Sequence, residues 1–162
     1  MPHNPQVFIG AWSLVDWRIE YSDGSVTRPF GKAAQGYIVY SENGIMTASI
    51  ATGDRARFGL ANARNATLEQ KGQAFESYFH YAGSWQIESD EVVHSVTMSL
   101  NPDMTDTEQR RLAVFDPVGG LTLSAHEPLK EGASRHHILQ WKRVAQAGPG
   151  LNPGQPPVVA IP

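Results

Sequence analysis

Period-two alternation is the dominant pattern along this chain. In residues 92–100, Val92, His94, Val96, Met98 and Leu100 take one face while Val93, Ser95, Thr97 and Ser99 take the other, which is the repeat of a β-strand. Comparable stretches rich in aromatic and branched residues run over 11–21, 36–41, 45–51, 79–88, 107–116, 121–126 and 135–144. With 92–100 the count reaches eight. Asp23-Gly24 and Asn43-Gly44 are strong hairpin pairs, and Ser89-Asp90, Asn101-Pro102-Asp103 and Pro117-Val118-Gly119-Gly120 are also short turns, so neighbouring strands must be antiparallel. Between Asp23-Gly24 and Pro29-Phe30-Gly31, residues 25–29 leave room for a short return strand. Closing such a meander on itself removes its exposed edges. The expected fold is all-β, an eight-stranded antiparallel up-and-down barrel whose interior is wide enough for one small ligand.

One segment departs from this pattern. Residues 52–66 carry small residues and arginines with no period, as in a long connection, and Thr67 with Gln70 three residues later matches a capping box. Leu68, Phe75 and Tyr78 or Phe79 then recur at helical spacing. This predicts one short helix between strands 3 and 4, weakened by about 1 kcal/mol at Gly72, with its apolar face over the barrel wall or an opening. After Val144 the chain turns to Gly148-Pro149-Gly150, Asn152-Pro153-Gly154 and Pro156-Pro157, a composition that keeps the backbone out of regular structure. The expected division is a barrel domain over 8–144 and a Pro/Gly-rich extended tail over 145–162, which could contact a partner.

Composition narrows the function. At 162 residues one domain can bury a sizeable core without cross-links. The net charge of −3, from 13 basic and 16 acidic residues, gives no footprint for nucleic acid. No cysteine is present, which excludes disulfides, thiolate nucleophiles and cysteine-ligated metals. Met1-Pro2-His3-Asn4-Pro5 has neither the basic nor the apolar region of an export signal, and no run is long enough for a membrane helix. The expectation is a cytoplasmic protein with no membrane partner; the sequence accommodates a homo-oligomer. Nucleophile elbows, phosphate-cradling glycine loops and His-x-His or His-Glu-x-x-His motifs are missing, so no metal site and no cofactor are expected.

Gly10-Ala11-Trp12 resembles the Gly-x-Trp signature that opens the first barrel strand of lipocalins and other calycins, and Trp141-Lys142-Arg143 resembles their closing strand. Asp23-Gly24, Pro29-Phe30-Gly31, Gly36-Tyr37-Ile38-Val39-Tyr40, Asn43-Gly44, residues 79–85, Arg110-Arg111 and Leu139-Gln140-Trp141-Lys142-Arg143-Val144 are similar to a family of bacterial and fungal lipocalin-like domains, over about residues 8–144. The resemblance implies a barrel whose cavity accepts small, largely apolar molecules. It also implies that Arg143 stacks on Trp12 as a structural pair. It does not choose between carriers and cofactor-free isomerases or cyclases.

Alternation then assigns candidate groups. His94 shares the apolar face of its strand, and an inward imidazole is either a proton-transfer group near neutral pH or a core ring hydrogen-bonded to a neighbouring tyrosine. Tyr81 and Trp85 share the inward face of 79–88 with Phe79, Gly83 and Ile87 as cavity wall, and His80 points out. Met98 lies on the face of His94. Arg110 and Arg111 cannot both face the lumen. If Arg111, Ala113 and Phe115 are inward, Arg111 offers a planar fork for a ligand carboxylate, phenolate or carbonyl; otherwise Arg110 takes that place, and the bland fate is a salt bridge to Glu108 or Asp106. Tyr37 and Tyr40 face oppositely, so one of them is placed to give a hydroxyl to the cavity, with plain packing an equal alternative for either. His137 shares a face with Arg135, Leu139, Trp141 and Arg143 and is a second lumen candidate. His136 and His137, being adjacent, cannot chelate together. On the first strand, Trp12 and Leu14 share parity with Asp16, Arg18 and Glu20, whereas Val15, Trp17, Ile19 and Tyr21 form a more apolar alternative, a contradiction that needs a bulge or a shift of environment along the strand. Arg55, Arg57 and Phe58 occupy the natural position of a lid.

Two functions fit these candidates. The first is a barrel binding a small apolar or aromatic, polyketide-like or terpenoid molecule, with Tyr81 and Trp85 as walls, His94 and Arg111 as polar anchors, and Tyr37 or Tyr40, Met98, Phe115 and His137 as further ligand contacts. The second is a cofactor-independent isomerase, cyclase or lyase, with His94 as acid or base and Arg111 and Tyr81 stabilising an oxyanion.

Overall fold

The computed structural model describes residues 2–145; the expected tail lies, from residue 146 onward, outside them. The strands are β1 (Gly10–Tyr21), β2 (Val26–Thr27), β3 (Gln35–Tyr40), β4 (Ile45–Ala51), β5 (Tyr78–Glu88), β6 (Glu91–Ser99), β7 (Glu108–Phe115), β8 (Gly120–Pro128) and β9 (Ser134–Arg143). The helix α1 spans Leu68–Glu76. β2 bonds only to Ile19 and Glu20 of β1. The other eight strands follow one another in chain order, all antiparallel, and the ring closes where β1 pairs with β9 from Trp12–Arg143 to Tyr21–Arg135. The closed eight-stranded barrel expected from the alternation is therefore present. No helix among the described residues is long and apolar enough to cross a membrane.

The helix position differs from expectation. It lies between β4 and β5 rather than between strands 3 and 4, because the Asp23-Gly24 turn folds the chain back sharply, with the Tyr21 amide donating to the Ser25 carbonyl at 2.9 Å, and Val26–Thr27 becomes a strand of its own. The capping box forms as read: the Gln70 amide donates to Thr67 Oγ1 at 3.1 Å and the Thr67 amide to Gln70 Oε1 at 3.0 Å. Its apolar face, however, stays largely open to solvent. Leu68 is 88% exposed and no helix residue is buried. Arg55, expected in a lid, instead fixes the helix C-terminus, donating to the Ala74 carbonyl at 3.2 Å and Ser77 Oγ at 3.1 Å while its guanidinium lies 4.9 Å from the Tyr78 ring. A cation at free helix carbonyls is favourable there.

Two bulges decide which side chains enter the lumen. In β1, Leu14 pairs with Trp141 and Asp16 with the adjacent Gln140, so Val15 is extra and points out, 56% exposed. Parity flips at that residue, which sends Trp17 and Ile19 inward after Trp12 and Leu14. In β6, Ala82 pairs with Met98 but Gly83 with Val96, leaving Thr97 extra. Gly83 permits this: a Cβ there would collide with the Ser95 carbonyl and sit 3.1 Å from the Thr97 amide nitrogen.

One end of the barrel is plugged. The chain ahead of β1 crosses beneath it and inserts Phe8, fully buried, whose ring meets Phe115 at 4.9 Å and Tyr40 at 5.7 Å. His3 accompanies it, with Nε2 2.8 Å from the Ala113 carbonyl oxygen. Trp12 donates its indole N–H to the Phe8 carbonyl at 2.8 Å, and the Arg143 guanidinium stacks over Trp12 at 4.1 Å while donating to the Ile9 carbonyl at 2.8 Å and to that of Val7. Gly10, with φ near +121°, makes the turn from plug into strand in a conformation that favours glycine. The opposite end carries the longer loops. There Phe30, on the connection between β2 and β3, packs edge-on against Trp17 at 5.2 Å.

Candidate functional site

Above the plug the lumen narrows to a cavity of about 50 Å³. Its apolar wall is built by inward residues of β3, β4, β5, β8 and β9, among them Ile38, Ile50, Phe79, Leu123 and Leu139. Its polar wall is Trp17, Tyr81, His94, Arg111, His137 and Trp141.

His94 occupies the centre of β6 and is completely buried. Both ring nitrogens are engaged: Nε2 lies 2.9 Å from the Tyr40 hydroxyl and Nδ1 2.7 Å from that of Tyr81. Burial pushes the imidazole down from 6.5 to about 3, with the Arg111 charge adding to the effect, so the ring is neutral and carries one N–H. Tyr40 is packed among plug aromatics and has no second hydrogen-bond partner among the described residues, so a donated N–H would leave its own proton enclosed there without an acceptor. Tyr81 likewise has no second partner among the described residues, but it lines the cavity, so the favoured arrangement has Tyr40 donating to Nε2 and Nδ1–H donating to Tyr81. The Tyr81 proton is then left to point into the cavity it lines. Burial raises both phenols, Tyr40 well above its ordinary value.

Arg111 faces in and Arg110 faces out, which resolves that alternative. Arg110 is clamped by Glu88 at 2.7 Å, Glu108 at 3.2 Å and Glu91 at 3.4 Å. Arg111 has no carboxylate partner among the described residues; it donates to the Arg110 carbonyl at 2.7 Å and to Gln109 Oε1 at 3.2 Å. Its charge bears on Tyr40, Tyr81, His94 and His137 alike. His137 is lowered mainly by burial, then by Arg135 and Arg111, and stands 3.6 Å from Glu127, which itself binds Arg135 at 2.7 Å.

The remaining candidates separate by position. Tyr40, Trp85 and Phe115 do face inward, but they belong to the plug and not to the cavity wall; Trp85 donates its indole N–H to the Ser41 carbonyl at 3.1 Å. Tyr37 points to solvent, 60% exposed, because Ile38 and Tyr40 take the inner face of β3. Met98, equally exposed, is corrected from cavity contact to outer surface: the extra residue Thr97 reverses the alternation on which its inward reading rested. His80 is half-buried with Nδ1 2.9 Å from Ser49 Oγ. His136 stacks on His126 at 3.8 Å across the β8–β9 pair, apart from His137, and no cluster of three potential metal ligands exists among the described residues. Asp16 is paired with Arg28 at 2.8 Å. Sequence reasoning did not single out Trp17 and Trp141 as cavity residues. Their indole nitrogens are the two buried side-chain donors for which no described protein group accepts. The signal for Trp17 was the broken parity of β1.

A closed antiparallel barrel, plugged at one end and hollow above a buried polar triad, defines a small-molecule-sized β-barrel. Residues 9–144 match the lipocalin-like domain, and the chain belongs to that family. No curated protein matches the chain.

Proposed function

We propose that the upper lumen binds a small, largely apolar molecule, of aromatic, polyketide-like or terpenoid class, or the narrow end of a longer one. The observation that carries this reading is the cavity itself: mostly hydrocarbon and aromatic wall with a few converging polar groups, the usual make-up of a ligand site. At roughly 10–15 Å³ per water, about 50 Å³ admits about four heavy atoms without movement. A larger body extends past Phe30 toward the loops. Titration of intrinsic tryptophan fluorescence with a panel of such molecules tests this. Saturable quenching that Ala48→Leu abolishes is expected, since Ala48 lies on the wall; a folded protein with no saturable response to any member overturns the reading.

The acid–base alternative draws support from a buried histidine beside an arginine, but its tuning is unfavourable. Efficient proton transfer wants a pKa near working pH, and His94 sits at about 3 with both nitrogens occupied. In the preferred reading His94 is a positioning residue that orients the Tyr81 hydroxyl.

A further inference from the structure

The cavity wall holds an excess of donors. Trp17 and Trp141 each keep a buried indole N–H that no described group accepts, and Trp141 is 3% exposed as a residue. Tyr81 has a proton to give once His94 Nδ1–H is directed at its oxygen. Arg111 uses two of its five N–H groups on Arg110 and Gln109. Among the described residues no aspartate or glutamate lines the cavity, and Glu127, 3.6 Å from His137 of the wall, is bidentate on Arg135 at 2.7 and 3.0 Å. Whatever occupies this space must present acceptors, because an unpaired buried donor is destabilising. A buried anion in turn needs a cation with free N–H groups beside it.

We propose that the lumen holds the carboxylate head of a small organic acid, with Arg111 as its counter-ion and the indole N–H groups of Trp17 and Trp141 and the Tyr81 hydroxyl as its hydrogen-bond donors. This rests on the reading of the lumen as a ligand site and adds the chemistry of the ligand's head. The apolar wall then takes the acid's hydrocarbon body, directed toward Phe30 and the loop end. A matched cation is disfavoured twice, by repulsion from Arg111 and by the lack of acceptors.

Calorimetric titration of the full chain with butyrate and with n-butylammonium, run beside the apolar panel above, tests it. Saturable butyrate binding at least tenfold tighter than n-butylammonium is expected. Arg111→Met should weaken butyrate at least tenfold, while Arg110→Met, on the outer face of the same strand, should leave it within twofold. Should Arg111→Met fail to fold, Trp141→Phe serves instead, with an expected loss of threefold or more for butyrate and little change for an uncharged panel member. Equal binding of anion and cation, indifference to Arg111, or binding of the apolar panel without butyrate overturns the acid head and leaves the lumen site standing. If neither acid nor panel binds a folded protein, both readings fall together.

Discussion

The two halves of the lumen use the same residue types to opposite ends. In the plug, Trp12 donates to the Phe8 carbonyl and Trp85 to the Ser41 carbonyl, the rings interlock edge to face, and the Arg143 charge is spent on backbone carbonyls. In the cavity half, Trp17 and Trp141 donate to no described group, and Arg111 keeps most of its guanidinium free. A structural core satisfies its polar atoms internally; a wall that leaves them unsatisfied is arranged for something that arrives. His94 sits at the boundary, joined to Tyr40 of the plug and Tyr81 of the cavity.

The largest effect expected concerns that boundary and acid. His94 has its folded pKa lowered from 6.5 to about 3, so on acidification the unfolded chain takes up a proton that the folded chain refuses. The stability this ring contributes is intact above about pH 6.5 and is lost as pH falls toward about 3, at up to about 1.4 kcal/mol per pH unit. His136 and His137, also lowered, act in the same direction. Urea unfolding of wild type and His94→Gln across that range isolates the His94 part: the two curves should converge as pH falls, and parallel curves would place the ring's proton elsewhere.

Next in size is the plug itself. Phe8→Ala removes a fully buried ring and should destabilise by about 3–5 kcal/mol, measured by the same unfolding. A loss below about 1 kcal/mol would mean that the N-terminal segment does not close the barrel. The smallest effect is the sharpest comparison. Trp12→Phe and Trp17→Phe delete the same atoms, but only the first breaks an indole hydrogen bond and the contact with Arg143. Trp12→Phe should therefore cost about 1–2 kcal/mol more in thermal or urea unfolding, and equal losses would erase the distinction between the halves.

How legible this was in the sequence follows from the same two regions. The barrel, the Asn43-Gly44 hairpin and the Thr67–Gln70 cap are local or periodic signals, the Trp12–Arg143 stack was legible only through the family resemblance, and alternation alone put His94 and Tyr81 inside. The contradiction along β1 left a bulge or a change of environment open, and the structure has the bulge, at Val15. The bulge at Thr97 left no such trace, since Met98 looks apolar whichever way it faces; it shows in the strand register, Ala82 with Met98 but Gly83 with Val96, and in the collision a Cβ at Gly83 would make with the facing strand. Nor does alternation say how deep an inward residue sits. Tyr40, Trp85 and Phe115 are inward but are covered by Phe8, a residue ahead of the first strand whose insertion is a tertiary event. The exposed Leu68 and Phe75 show the reverse, helical spacing without burial, because polar contacts from Arg55 hold the helix.

The chain has four tryptophans, and so four indole N–H signals in a ¹H–¹⁵N correlation spectrum. Addition of butyrate should shift the signals of Trp17 and Trp141, in the direction of a newly formed hydrogen bond, and leave those of Trp12 and Trp85 in place. Movement of the plug pair instead, or no movement at saturating acid, would contradict the assignment of the upper lumen as the binding half.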